Sequence, residues 1–322
     1  MSQSKFKIDK KVILYLLLLA AALLFPMAAN RRVLNIAIIT LMYVTLGESW
    51  NLLSGMSGLF SIAHALFFGL GVYGMTITTN RLGMGLFAGV VMGLVVNTLM
   101  ALLVGVIASK LSGLYFTMAL IGLHQTVYSL SIQLIDLTGG SMGISMPREY
   151  LFSKTQQYYM VLTLAVASML FYVFIRRSRI GTNFVALKEN PDLARALGSN
   201  IGNWRILATV FSALMASLAG SFYALYLMSN NTEVFNASIS LKIIMVVIVG
   251  GMGYVWGPVL GSSMIVLDEL VRGMMPSRFA PFSVVIYAGV LIIMALLKPA
   301  GIISFFQRDE KKTPAKKERA TT

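Results

Sequence analysis

Charged and amide side chains are scarce within the long apolar runs of this chain, so each one found there needs a reason. Glu48 and Asn51 stand one helical turn apart and share a face. Ser61 and His64 follow in a glycine-broken stretch, and His124 is followed directly by Gln125. An ionised group buried in hydrocarbon costs about 2.5–3.5 kcal/mol on insertion scales, and such groups commonly line a polar path or relay protons. The residue types predict a water-filled pathway bordered by Glu48, Asn51, Ser61, His64, His124 and Gln125. Glu48 and His64 also suit a proton relay. The simpler alternative is that each residue hydrogen-bonds a neighbouring helix.

Two further motifs could suggest other chemistry, and a third is absent. Gly55-Met56-Ser57-Gly58 matches the G-x-S-G of intramembrane serine proteases, which need a histidine on a facing helix, a part open to His124. Gly69 to Gly74 spells G-x-G-x-x-G, but no strand precedes it and no acidic residue follows at the required distance. Close helix packing through small residues explains it better. No G-x-x-x-x-G-K-[ST] occurs, so the chain has no phosphate loop for ATP; it is expected to bind no cofactor and to draw such energy from a partner.

A polar run from Arg176 to Arg205 separates apolar segments. Within it Asn190-Pro191-Asp192 reads as a helix start, with a capping side chain, a proline at the first helical position and an acid at the positive end. Gly198 is the matching stop. The prediction is a short helix from Pro191 to Leu197, with Leu193, Ala194 and Leu197 on one face and Arg195 on another. Such a helix suits a docking handle for another protein, and the bland alternative is a solvated connector.

Of 322 residues, 57% are hydrophobic and 12% charged, and the mean hydropathy is +0.79, more apolar than one soluble core can hide. Apolar runs near helix-spanning length recur between glycine-rich breaks, which predicts an all-α transmembrane bundle. With no cysteine, disulfides and thiolate metal sites are excluded, and two histidines leave little for a metal. The net charge of +14 is read as topology, since Lys and Arg gather on the cytoplasmic side. Expected helices run from Val12 to Ala29, which also resembles a signal peptide, then Val33 to Leu53, Leu59 to Thr79, Leu86 to Ser109, Leu114 to Leu134, Tyr158 to Ile175 and Ile206 to Met228. A polar outer loop, Asp136 to Gln157, divides the fifth from the sixth.

Ser240 to Leu267 must be split for the basic tail to end inside. The break is placed at Gly250-Gly251-Met252-Gly253 and Gly257-Pro258, and the last helix at Phe282 to Leu297. That gives about ten helices, with both termini cytoplasmic and a polar, disordered tail from Gln307 to Thr322. Asp268 and Glu269 are expected in solvated positions at a helix end. A matching break in the first half, at Gly55 and Gly58, suggests an inverted repeat around a midplane path.

With these residues in view, the chain resembles the LivM-type permeases of branched-chain amino acid ABC importers over nearly its whole length. The resemblance rests on Gly55 to Tyr73, Gly113 to Met118, Thr138 to Ile144, Ala186 to Gly198 and Val249 to Gly261. It implies a non-catalytic subunit in a bacterial inner membrane, partnered by a second permease subunit, two ATP-binding subunits and an extracytoplasmic solute-binding protein. It further implies that Glu189, Asp192, Arg195 and Gly198 belong to a coupling loop that docks on the ATPase, with ATP used there. The organisation is then a basic tail over 1–11, a permease domain over 12–298 with its coupling loop at 176–205, and a second basic tail over 299–322. Leu59-Phe60-Ser61-Ile62 departs from the family's Gln-Leu-Ser-Leu, which bears on substrate, and close relatives carry urea or short amides. The competing classes are a proton-coupled secondary transporter and an intramembrane serine protease.

Overall fold

The computed structural model describes residues 20–111, 113–274, 289 and 301–305, and these form an all-α polytopic bundle with almost no sheet. A helical segment over 20–28 leads to α1 (Arg31–Trp50), whose first turn is capped by Asn30, the side chain accepting from the Val33 amide at 3.0 Å. Then come α2 (Ala65–Asn80), α3 (Leu86–Lys110), α4 (Gly113–Gln133) and the short α5 (Ile135–Thr138). The segment Ile135–Met142 bends 82° away from α4. Next are α6 (Lys154–Arg177), α7 (Arg179–Glu189), α8 (Pro191–Ala196) and α9 (Ile201–Leu227). Then follow α10 (Ala237–Gly250), α11 (Gly257–Gly261) and α12 (Ser263–Met274), and a single 3-10 turn, Ile302–Phe305, ends the described residues. Among the described residues four helices are long and apolar enough to cross a membrane, or five if the bent pair counts as one.

Small residues let the central helices approach. A Cβ added at Gly74 would meet the Gly93 backbone, and one at Gly71 would meet Ser217, so α2 lies directly on α3 and α9. Asn97 reinforces this contact from α3, donating to Ser217 Oγ at 2.9 Å. Arg176, Arg177, Arg179, Lys188 and Arg205 gather with α7 and α8 at one end of the bundle, the basic end. At the other, β1 (Ile144–Ser145) pairs antiparallel with β2 (Ser229–Asn230), and Asn80 donates to the Ser145 carbonyl at 2.7 Å.

Most expected helices are present within a few residues, and three differences have physical causes. The helix expected from Leu59 begins at Ala65. Before it, the chain is pulled into an extended path by Ser54, which donates to the Leu59 carbonyl and accepts from the Ser61 amide, and by the Trp50 indole on the Ser61 carbonyl at 2.7 Å. α1 runs into this break through a π-helical turn, Asn51–Met56. Second, the polar run holds an extra helix, α7, which turns Phe184 and Leu187 into the bundle. Third, Asp268 is not solvated: it is 4% exposed and pairs with Lys242 at 2.9 Å, tying α12 to α10.

The expected split of the last apolar stretch is present. α10 stops at Gly250, α11 starts at Gly257, and the two lie backbone to backbone, since a Cβ on Gly250 would fall on the Gly257 carbonyl. The tail Met1 to Lys11, the first helix up to residue 19, most of Phe282 to Leu297 and the tail Gln307 to Thr322 lie outside the described residues.

Candidate functional site

The two glycine-broken segments, far apart in sequence, meet at the basic end. Asn51, the first residue of the π-helical turn, joins them: its Oδ1 accepts from the Gly253 amide at 2.7 Å and its Nδ2 donates to the Tyr254 carbonyl at 3.0 Å. One side-chain amide thus satisfies the Gly253 amide, which the break in α10 leaves without a backbone partner, and adds a second donor to the Tyr254 carbonyl, which already accepts from the Gly257 amide at 3.0 Å. The Gly253 carbonyl accepts from the Tyr172 hydroxyl at 3.1 Å and from the Arg176 guanidinium, both on α6. Lys188, near the end of α7, donates to the Gly55 carbonyl at 2.7 Å. Gly58 needs its glycine here, since its φ is +76° and Lys188 lies against the place a Cβ would take. Gly251, at φ +127°, and Gly253, at φ +87°, turn the second segment in the same way. A cavity of about 240 Å³ opens between these groups, lined by Gly55, Tyr172, Arg176, Lys188, Glu189 and Gly253.

Exchanging Asn51 for leucine keeps the volume and removes both bonds, leaving the Gly253 amide unpaired at about 1–3 kcal/mol, while the Tyr254 carbonyl keeps the Gly257 amide as its donor. The expected result is a lower melting temperature of the purified protein, by about 2–4 °C per kcal/mol lost. An unchanged melting curve would contradict the clamp.

Glu48 lies one turn before this clamp. It is fully buried beside Asn51 and within electrostatic reach of Tyr172, but the Asn51 amide is committed to the second segment and neither Glu48 oxygen makes a hydrogen bond of normal geometry. His64 belongs to a different face. Its Nε2 meets Ser49 Oγ at 2.7 Å, and that hydroxyl has its one proton on the Ser212 carbonyl, also at 2.7 Å. A carbonyl cannot donate, so Ser49 accepts from His64, which carries its proton on Nε2 and leaves Nδ1 a bare acceptor. Ser61 Oγ is likewise buried without a partner. Glu48, Ser61 and His64 therefore each retain unmet polar atoms in the first broken unit, and no hydrogen bond links Glu48 to His64.

His124 and Gln125 are not brought to this unit. The His124 Nε2 donates to the Phe235 carbonyl at 2.7 Å on the inner side of α4, and Gln125, the next residue, points out of the bundle. The protease pairing is not assembled either: Ser57 donates to the Leu53 carbonyl at 2.6 Å while His124 is engaged at Phe235.

The short helix predicted over Pro191 to Leu197 is present as Pro191–Ala196, with the expected start and stop, but Leu193, Ala194 and Leu197 do not share one face. Asn190 caps α8, accepting from the Leu193 amide at 3.0 Å, and Gly198 takes φ +85° at its end. Ala194 is buried against the bundle, but Leu193 is 57% and Leu197 79% exposed. Asp192 and Arg195 pair with each other at 3.2 Å on the surface, and Glu189 closes α7 in an exposed position beside the cavity. Tyr172, Arg176 and Lys188 were not singled out by sequence reasoning. For Lys188 a signal existed: Ile180, Phe184 and Leu187 recur at helical spacing just before it, an amphipathic pattern that marks α7.

Residues 32–295 match the family model described as the branched-chain amino acid transport system / permease component. The chain belongs to this family. Among its relatives is the high-affinity branched-chain amino acid transport system permease protein LivM of Salmonella typhimurium, 25% identical over 91% of this chain and 75% of the relative. Two permease proteins of Methanocaldococcus jannaschii are also similar. Its probable LivM is 22% identical over 61% of both chains, and its probable LivH is 26% identical over 41% of this chain and 42% of the relative. No solved structure matches the chain significantly.

Proposed function

We propose that this chain is the membrane permease subunit of an ATP-driven importer of branched-chain amino acids, working with a second permease subunit, two ATP-binding subunits and an extracytoplasmic solute-binding protein in a bacterial inner membrane. The observation that carries this reading is the pairing of an outward-facing apolar patch, Leu193 and Leu197, with a direct tie from the adjoining helix to the first broken segment, Lys188 to Gly55. On this reading the basic end is cytoplasmic, as the excess of Lys and Arg there favours, and both termini lie on that side. The permease domain spans 12–298 with its coupling loop at 176–205, and the chain itself holds no cofactor.

A helix docked on an ATP-binding subunit moves as a unit with it. Such a movement of α8 passes through Asn190 to α7, and through Lys188 to the Gly55 carbonyl. Arg176 and Tyr172 hold the second segment from α6, so shifting α7 relative to α6 separates the two broken segments at Asn51. An amino acid brings two charges into a poorly hydrated path, and helix ends with a few polar side chains offset its lost hydration. Glu48, Ser61 and His64 carry unmet polar atoms for that purpose, with Asn51 as the gate between segments and Gly55, Gly58, Gly250, Gly251, Gly253 and Gly257 permitting the breaks.

Competition against labelled leucine uptake in ATP-loaded vesicles containing the whole importer checks the substrate class. Unlabelled isoleucine and valine should compete, and urea or short amides should not. The reverse pattern would move the substrate to the amides.

A further inference from the structure

The faces that the described bundle leaves uncovered differ in chemistry. On α3 the exposed side chains include Phe87, Val91, Val95, Leu99, Leu102 and Val106, all apolar, which suits hydrocarbon. α4 is different. It leans on the bundle along one stripe, Phe116, Leu120, His124 and Ser131, and the bond from His124 to the Phe235 carbonyl fixes its rotation. Its outward face presents Tyr115, 75% exposed, and Met118, 66% exposed, and then Gly122, Gln125 and Thr126 near the middle of the helix. A Cβ at Gly122 would meet nothing within 4 Å, while the Thr126 hydroxyl folds back on the Gly122 carbonyl at 2.9 Å. The Gln125 amide brings two donors and an acceptor to a depth where lipid offers no partner. Whatever covers this face must carry hydrogen-bonding groups into the bilayer, which a protein helix does and an acyl chain does not. The small residues at 122 and 126 let a second helix come close.

We infer that this face of α4 seats the second permease subunit, a membrane protein of the same family, through a helix that crosses at Gly122 and Thr126 and hydrogen-bonds the Gln125 amide. The inference rests on the permease reading above. One organism carries two permease components, a probable LivM and a probable LivH, that are each similar to part of this chain, so membrane components of this kind occur side by side.

The chain has no cysteine, so one introduced at position 122 is its only thiol. In membranes containing the whole importer, a benzophenone attached to Gly122→Cys is expected to crosslink to the second permease subunit, and the same label on Leu99→Cys in α3 is not. Gly122→Trp should lower the amount of that subunit retained on the tagged chain at least tenfold, with membrane insertion unchanged. Crosslinks from position 122 only to lipid, to this chain's own closing segment or to a second copy of this chain would overturn the inference, as would wild-type retention by Gly122→Trp. A wild-type chain that retains no second permease subunit would instead overturn the permease reading itself.

Discussion

Replacing Leu193 and Leu197 together by aspartate is expected to abolish copurification of the ATP-binding subunits while leaving membrane insertion intact. Both side chains point away from the bundle, and Ala194, the residue of α8 that does pack inward, is untouched. Burying one leucine side chain supplies about 1.5–3 kcal/mol. Losing two costs at least about 3 kcal/mol, a drop in affinity on the order of 100-fold. Glu189→Lys is the companion variant, because a reversed charge at the exposed end of α7 opposes any pairing that sets the register of docking. Full retention of the ATP-binding subunits and full transport by both variants would leave the polar run a plain connector.

Gly250→Val is expected to remove folded protein from the membrane altogether. The added Cβ falls on the carbonyl of Gly257, which belongs to backbone and cannot rotate away as a side chain would. Ordinary overpacking costs about 1–3 kcal/mol, and a clash between two helix backbones exceeds it. Gly85→Ala serves as the control, since nothing lies within 4 Å of the place its Cβ would take. Monodisperse protein recovered in detergent measures the outcome: wild-type yield for Gly85→Ala and none for Gly250→Val. A normal yield of Gly250→Val would mean that α11 does not fold back on α10.

The sequence carried the spanning helices, the α8 cap at Asn190, its stop at Gly198 and the break after Gly250, because these depend on local chemistry: apolar length, a capping side chain, a glycine at positive φ. It did not carry what depends on distant partners. Asn51 reads as a pathway residue from its place one turn after Glu48, but nothing local announces that its amide joins Gly253 and Tyr254, some 200 positions on. Asp268 reads as solvated because no local feature announces Lys242 across from it. Leu59 to His64 has the apolar content of a helix, and only the serine and tryptophan side chains that hold its backbone elsewhere prevent one. His124 and Gln125 were grouped by adjacency, yet adjacent residues on a helix point about 100° apart, and these two face opposite surroundings.

The energy source of transport bears most directly on the claim that this chain couples a partner's ATP hydrolysis to a path between its broken helices. Uptake is measured in vesicles containing the chain and the second permease subunit, with and without the ATP-binding subunits, under ATP or under an imposed pH gradient. The account predicts uptake only when the ATP-binding subunits and ATP are both present, insensitive to the gradient. Uptake that persists without those subunits and follows the pH gradient would contradict it.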